Sequence, residues 1–194
     1  MLNERPLSVL KLKNELDDII QGCIHGKRSD QEKLYRMFSS KMFGVCLRYC
    51  GDYDDAKDIL QDGFIKVFDK IKQFGQRGSF EGWVRRIMVN TALERYRKNN
   101  FTITVDKLPE IREDEDNSEA NFEFSMNELL EYVQKLPERY RMVFNLYVFE
   151  EMTHKEIGEM MGINEGTSKS DLSRARGILQ KQINSRIKQV AKTG

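Results

Sequence analysis

The sequence predicts an all-α protein made of two small helical domains joined by an acidic, flexible linker. Three observations predict this fold class. The 194 residues contain only three Pro and many Lys, Glu, Leu and Met, which favour helices. Apolar residues recur at i, i+3, i+4 and i+7 along most of the chain. An acidic run around Pro109 interrupts this pattern, so we predict domains at 12–100 and 125–190 and a linker at 101–124.

The first domain is predicted to contain four helices, because four apolar stripes follow one another along the chain. The stripes begin at Leu16, Leu34, Ala56 and Phe80. Breaks are predicted at Gly26, Gly51 and the GQRG segment at 75–78. Asp52 and Ser79 stand where helix N-caps belong.

The second domain is also predicted to contain four helices, and its last two have the pattern of a helix-turn-helix. Thr153 and Glu156 have the spacing of a capping box at the start of a short helix. Gly158 supplies a small residue where two helices approach each other, and Gly162 supplies the turn. The apolar residues of the inner face are Ile157, Met161, Ile163 and Leu172.

The second helix of this motif carries a basic and hydroxylated face opposite its apolar one. Such a face suits the major groove and the phosphates of duplex DNA. The alternative is an ordinary helical hairpin with a solvated face. The residues of this face are Lys169, Ser170, Ser173, Arg174 and Arg176.

Charge is unevenly distributed, although the net charge is only +1. Residues 61–100 carry a net charge of +5, residues 164–194 carry +5, and residues 101–125 between them carry −6. Two basic segments separated by an acidic one indicate two sites for a polyanion, joined by a tether that avoids it.

Composition alone does not decide the role of two further segments. The helix after Ser79 combines aromatic and Arg side chains, which suit single-stranded nucleic acid but also suit a core with a charged surface. The outer face of the preceding helix carries Asp58, Gln61 and Asp62, which is either a solvated face or a surface for a partner helix.

Several classes of protein are disfavoured by the sequence. There is no Gly-rich phosphate loop, no cluster of metal ligands and no nucleophile beside a base, so we expect neither an enzyme nor a cofactor. Cys46 and Cys50 could share a helix face, but we interpret them, with Cys23, as small core residues. The first twenty residues lack the apolar core of a signal peptide, so we expect a cytoplasmic protein without a membrane span.

Three motifs in order resemble the extracytoplasmic-function class of bacterial RNA polymerase sigma factors. They are AKDILQDGFIKVF, FEGWVRRIMVNTALERYRK and LPERYRMVFNLYVFEEMTHKEIGEMMGINEGTSKSDLSRAR, and the resemblance covers about residues 20–185. It implies that 12–100 is sigma region two and 125–190 is sigma region four. It also implies core RNA polymerase, promoter DNA and an anti-sigma factor as partners, and no small-molecule substrate.

The resemblance also implies roles for individual residues. Core polymerase would dock on Asp58, Gln61 and Asp62. The minus-thirty-five element would be read by Lys169, Ser170, Ser173 and Arg174, with Arg176 on the phosphates. A third set would open the minus-ten element and hold one flipped base. Its residues are Phe74, Phe80, Trp83, Arg85, Arg86, Asn90 and Arg97.

Three residues depart from what the family pattern or helix propensity favours. Ser168 stands where the family has a β-branched apolar residue, which suggests looser packing of the recognition helix. Asp171 stands where a basic or neutral polar residue is common, and an acid facing DNA would repel phosphate unless it bonds a cytosine amino group. Gly63 lies inside a predicted helix, where it would permit the close approach of another helix or of the polymerase.

The main rival to a sigma factor is a free-standing helix-turn-helix regulator that binds duplex DNA as a dimer. A protein whose main role is partner binding is a third possibility. The first domain favours the sigma factor, because it has no β/α pattern of a ligand-binding or receiver domain.

Overall fold

The computed structural model describes residues 5–75, 77–100 and 124–193, and side chains within 15–75, 77–98 and 124–190. These residues form eight α-helices and no strand, which confirms the all-α prediction. A single 3₁₀ turn, Ile71–Gln73, follows the third helix. The helices are α1 Arg5–Ile24, α2 Arg28–Tyr49, α3 Tyr53–Lys70, α4 Phe80–Asn100, α5 Met126–Gln134, α6 Glu138–Val148, α7 His154–Met161 and α8 Glu165–Thr193.

Helix boundaries follow the local signals that the sequence offers. Asp52 accepts a hydrogen bond from the Asp55 backbone N–H at 2.8 Å, and Ser79 accepts one from Gly82 at 3.1 Å, as expected of N-caps. Gly26, between α1 and α2, has a φ of 74°, a conformation that residues with a Cβ rarely adopt. The predicted breaks between helices are therefore confirmed at these positions.

Close contacts divide the chain into two compact units. Unit 1 comprises 1–46 and 57–91, and unit 2 comprises 47–56 and 92–194. Helices α2, α3 and α4 thus contribute residues to both units. The domain boundaries inferred from the sequence, 12–100 and 125–190, remain a prediction, and residues 101–123 of the predicted linker lie outside the described residues.

The core of unit 1 is built from the apolar stripes of its helices. Gly63 on α3 is buried in this core, and a Cβ at this position would collide with Sδ of Met88 on α4. Gly63 therefore serves the close approach of a neighbouring helix within the fold. The largest buried apolar side chains here include Leu34, Met42, Val67, Ile71, Val84 and Met88.

Unit 2 contains the packing of α6 against α8. Leu136, Tyr140 and Ala175 form a buried cluster, and Phe144, Ile178 and Leu179 pack around it. Ser125 and Glu128 form a capping box at the start of α5, which the sequence analysis did not identify. These contacts fix the inner face of α8 and leave its opposite face exposed.

Side chains of α5 and α6 hold the end of α2, also within unit 2. A helix end leaves its last carbonyls without partners inside the helix. Gln134 Nε2 donates to the Leu47 carbonyl at 3.0 Å, Asn145 Nδ2 to the Arg48 carbonyl at 2.7 Å, and Arg141 Nε to the Tyr49 carbonyl at 3.2 Å. Three polar side chains thereby satisfy three backbone groups.

The three cysteines are free thiols buried in the helical packing, as the sequence predicts. Burial raises the pKa of the Cys23 thiol to about 11, with the nearby Asp30 carboxylate adding to the shift. Among the described residues, no helix is long and apolar enough to cross a membrane.

Candidate nucleic-acid interface

The helix-turn-helix of α7 and α8 is formed by local signals at both ends of α7. Thr153 and Glu156 form the predicted capping box, in which the Thr153 N–H donates to Glu156 Oε2 at 2.8 Å. Gly162 ends α7 in the left-handed conformation with a φ of 70°, and the Ile163 N–H donates to the Gly158 carbonyl at 3.0 Å. The predicted motif is therefore present.

Gly158 is needed because the chain folds back against α7 directly after the turn. A Cβ built on Gly158 would lie 2.7 Å from the backbone carbonyl oxygen of Ile163. This contact involves backbone and cannot be relieved by a change of rotamer. The small residue inferred from the sequence is thus explained by close backbone approach.

Helix α8 exposes the face that the sequence predicts for DNA. Asn164 caps its start by accepting a hydrogen bond from the Thr167 N–H at 2.7 Å. At 3.6 residues per turn, Lys169, Ser173 and Arg176 lie in one row, and all three are exposed. Ser170 lies beside this row, whereas the partly buried Arg174 lies roughly 160° from Arg176 around the axis, at the edge of this face.

Two cations of this face, Lys169 and Arg176, have partners that are exposed or partly exposed. Lys169 pairs with Glu165 on its own helix at 2.6 Å, and the Arg176 guanidinium lies 5.7 Å from the ring centroid of Tyr147. Exposed ion pairs contribute only about 0–1 kcal/mol to stability, so replacing such a partner with a DNA phosphate costs little free energy. The face is therefore available to a polyanion.

A polar cluster beside the recognition helix was not identified from the sequence. Ser168 is fully buried, and its hydroxyl lies 3.0 Å from Nδ1 of His154. The imidazole of His154 stacks on the Tyr147 ring at 4.7 Å. Ser168 thus gains a specific polar partner. No signal in the sequence indicated this cluster, because the spacing of seven residues between the tyrosine and the histidine does not indicate a contact.

Asp171 does not lie on the exposed face of α8. Its side chain is 0% exposed, and its two oxygens pair with Arg139 on α6, Oδ2 to Nε at 2.8 Å and Oδ1 to NH2 at 2.9 Å. The concern that this acid would repel phosphate from the recognition face is therefore wrong. Its position on the inner side of α8 explains why it is tolerated.

The start of α4 carries an aromatic cluster. The ring centroid of Phe74 lies 5.0 Å from that of Phe80 and 5.6 Å from that of Trp83, and those of Phe80 and Trp83 are 5.5 Å apart. Phe80 is only 4% exposed, whereas Phe74 and Trp83 are partly exposed. Phe80 therefore supports the other two rings and is itself core.

Predicted minus-ten residues on α4 fall on different sides of the helix. Trp83, Arg86 and Asn90 are spaced by three and four residues and share one face. Arg85 lies roughly 160° from Trp83 around the axis at 3.6 residues per turn. Arg97 belongs to unit 2, where its guanidinium donates to the Met160 carbonyl.

Helix α3 presents an acidic surface within unit 1. Asp58, Gln61 and Asp62 are all exposed and occupy one face of the helix. Ile65 lies in the same row, and its large apolar side chain is 59% exposed. Ile65 was not predicted from the sequence, although its spacing of three and four residues from Asp62 and Gln61 was a usable signal.

Two family models match this chain. The model described as "Sigma-70 region 2" matches residues 34–102, and the model described as "Sigma-70, region 4" matches residues 126–179. Together they cover most of the described α2–α4 segment and the helix-turn-helix.

Individual proteins are similar as well. The "ECF RNA polymerase sigma factor SigW" of Bacillus subtilis is 29% identical over 179 residues, covering 81% of this chain and 92% of the relative. The "ECF RNA polymerase sigma factor SigE" of Mycolicibacterium smegmatis is 30% identical over 77% of this chain and 60% of the relative. The Bartonella quintana sigma factor RpoE, solved with the anti-sigma factor NepR, gives a TM-score of 0.49 at 17% identity, covering 80% of this chain and 97% of that one.

Proposed function

Because the chain belongs to the extracytoplasmic-function class of RNA polymerase sigma factors, we propose that three separate surfaces carry out its role in transcription initiation. Region two lies within 12–100 and region four within 125–190, an assignment supported by the residues that the two family models match. The surfaces are the exposed faces of α8, α4 and α3.

The exposed face of α8 reads the minus-thirty-five element, and this face is the observation that carries the proposal. Lys169, Ser170, Ser173 and Arg174 contact base edges in the major groove, and Arg176 contacts phosphate. The arrangement fits because hydroxyl and guanidinium donors stand on one side of a helix whose opposite side is buried.

The face of α4 and the aromatic cluster before it open the minus-ten element. Phe74 and Trp83 offer partly exposed rings for stacking on an unpaired base, and Asn90 offers an amide for its hydrogen-bonding edge. Arg86 follows the backbone on the same face. Phe80 acts by supporting the two rings, while Arg85 and Arg97 contribute positive charge at the sides of the helix.

The acidic face of α3 docks on the coiled coil of the largest polymerase subunit. Asp58, Gln61 and Asp62 supply charge and hydrogen bonds, and the exposed Ile65 supplies an apolar centre. Interfaces commonly combine an apolar centre with a polar rim, and this face has that composition.

The protein works through binding energy and performs no covalent step. Anchoring at the duplex minus-thirty-five element holds the polymerase in place, and capture of an extruded minus-ten base offsets an unpairing cost of a few kcal/mol. The polymerase performs the phosphodiester chemistry with its own metal. The protein therefore acts in the cytoplasm, where core polymerase and chromosomal DNA are found.

An anti-sigma factor is a further partner under this proposal. It would inhibit the protein by covering a surface that polymerase needs, such as the α3 face. Addition of such a partner should lower core-polymerase binding by wild-type protein.

The experiment mixes purified protein with bacterial core RNA polymerase and genomic DNA, and sequences the 5′ ends of the RNA. Stable binding and start sites that share two spaced upstream elements are expected. If the protein ignores polymerase but binds duplex DNA tightly alone, it is a free-standing regulator and the roles given to α3 and α4 are wrong.

A further inference from the structure

The inner face of the recognition helix carries a buried acid. Asp171 is 0% exposed and lies beside Leu172 and Ala175, which are also buried. A carboxylate is costly to bury unless it is paired and hydrogen-bonded. The charge of the buried carboxylate is compensated by a partner, which lies on another helix.

That partner is Arg139, near the start of α6. Both Asp171 oxygens lie within 2.9 Å of a guanidinium nitrogen, Oδ2 near Nε and Oδ1 near NH2. NH2 donates a hydrogen bond to Oδ1, whereas Nε and Oδ2 are close in charge contact without a hydrogen bond between them, so the pair holds the carboxylate beside the guanidinium. The pair ties the second turn of α8 to α6 by a contact that an apolar residue could not provide.

The fixed carboxylate also faces Arg174, one turn further along α8. NH1 of Arg174 lies 3.7 Å from Asp171 Oδ1, and its side chain is 37% exposed. At this distance the attraction orients the guanidinium without a close hydrogen bond. The Arg174 side chain therefore extends to the exposed side of α8 from a position next to the Asp171 carboxylate, which Arg139 holds in place.

We infer that Asp171, held by Arg139, is a positioning residue for Arg174 in minus-thirty-five recognition. Asp171 does not contact DNA; it fixes the direction from which the Arg174 guanidinium approaches a base edge. The inference rests on the proposed function of α8. It assigns a role in specificity to two residues that lie outside the recognition face.

The test uses full-length protein with core polymerase and the strongest promoter fragment found by start-site mapping. A second fragment carries a scrambled minus-thirty-five element. The measured quantity is the ratio of the two affinities, because a variant that is merely less stable loses affinity for both fragments alike. The variants are Asp171→Asn, Arg174→Ala, the double variant, and Glu159→Gln as an exposed acid on α7.

We expect Asp171→Asn to lower the affinity ratio about tenfold, the size of one base contact. Arg174→Ala should lower it at least as much, and the double variant should be no worse than Arg174→Ala, because one residue acts through the other. Glu159→Gln should keep the wild-type ratio. If Asp171→Asn proves misfolded by circular dichroism, Arg139→Lys replaces it, since Lys keeps the charge and lacks the guanidinium NH2 that donates to Oδ1.

Two results would overturn this inference and leave the proposed function standing. One is an unchanged ratio for the Asp171 or Arg139 variant beside a clearly discriminating wild type. The other is a double variant whose losses multiply, which would make Asp171 independent of Arg174. A wild-type protein that does not discriminate between the fragments or ignores polymerase would instead remove the proposed function, and the inference with it.

Discussion

At the scale of single residues, Gly158 accommodates no Cβ without a shift of the backbone. Its missing Cβ leaves room for the Ile163 carbonyl, which a Cβ would approach to 2.7 Å. Overpacking of this kind costs about 1–3 kcal/mol, more than the ~1 kcal/mol that Ala gains over Gly in a helix. Gly158→Ala should therefore lower the free energy of unfolding, measured by urea denaturation.

A matched control is available in α2. A Cβ on Gly44 would meet nothing within 4 Å, so Gly44→Ala should raise stability by up to ~1 kcal/mol. Destabilisation by both substitutions, or by neither, would contradict the close-approach explanation for Gly158.

The imidazole of His154 makes stability sensitive to mild acid. Its partial burial, and then the charge of Lys169, lower the pKa of His154 below its usual 6.5. The folded state therefore prefers the neutral ring, and the unfolded state takes up the proton first as pH falls. The resulting stability is present above pH 6.5 and is lost as the pH drops through the folded-state pKa.

Thermal unfolding between pH 7.5 and 5.5 tests this sign. The wild-type midpoint should fall across that window, and His154→Gln should show a smaller fall because it does not titrate. Equal slopes for the two proteins would assign the acid sensitivity to other groups.

At the scale of elements, α4 is expected to act after DNA is bound. Asn90 shares a face with Trp83 and Arg86, at the position proposed for the flipped base. Asn90→Ala should impair promoter opening, followed by permanganate reactivity, more than it impairs closed-complex formation at low temperature. The closed complex of the same variant is the internal control, and equal losses in both steps would remove the base pocket from Asn90.

Helix α3 is expected to bind core polymerase through its exposed Ile65. Burying an Ile side chain is worth about 1.5–3 kcal/mol, so Ile65→Ser should weaken core binding by tenfold or more in a direct titration. Met37→Ser on α2 removes a side chain that is 51% exposed and serves as control. Equal losses for both variants would point to a general effect of surface polarity on the protein.

At the scale of the whole molecule, polar side chains join distant parts of the chain. Asn145 is 0% exposed and donates to the Arg48 carbonyl, 97 residues away in sequence. Asn145→Ala leaves that buried carbonyl without its donor, which costs about 1–3 kcal/mol. We expect a lower unfolding free energy and faster hydrogen exchange at the end of α2.

Asn184→Ala is the matching control for that prediction. Its amide is partly exposed and accepts one hydrogen bond from Gln180 on the same helix. It should have little effect on stability. A comparable loss in both variants would show that the Arg48 contact adds nothing specific.

The sequence by itself determined the helices and the motif. The signals for these elements act over only a few residues, so they are local and can be recognised in the sequence. They are the periodic apolar residues, the caps at Asp52, Ser79 and Thr153, and the glycines at 158 and 162. The exposed rows of α3 and α8 follow from the same 3.6-residue period. The family resemblance gave these elements a function.

Only the tertiary structure decided which partners the polar inner residues have. The sequence predicts Asp171 on the side of α8 that faces DNA, whereas its pairing with Arg139, 32 residues away, depends on how α6 packs against α8. Likewise the bond of Ser168 to His154 and the capping of α2 by Arg141 and Asn145 join residues that no spacing relates. Burial and long-range hydrogen bonding are properties of the packed chain, because a buried polar group is stable only where folding brings its partner.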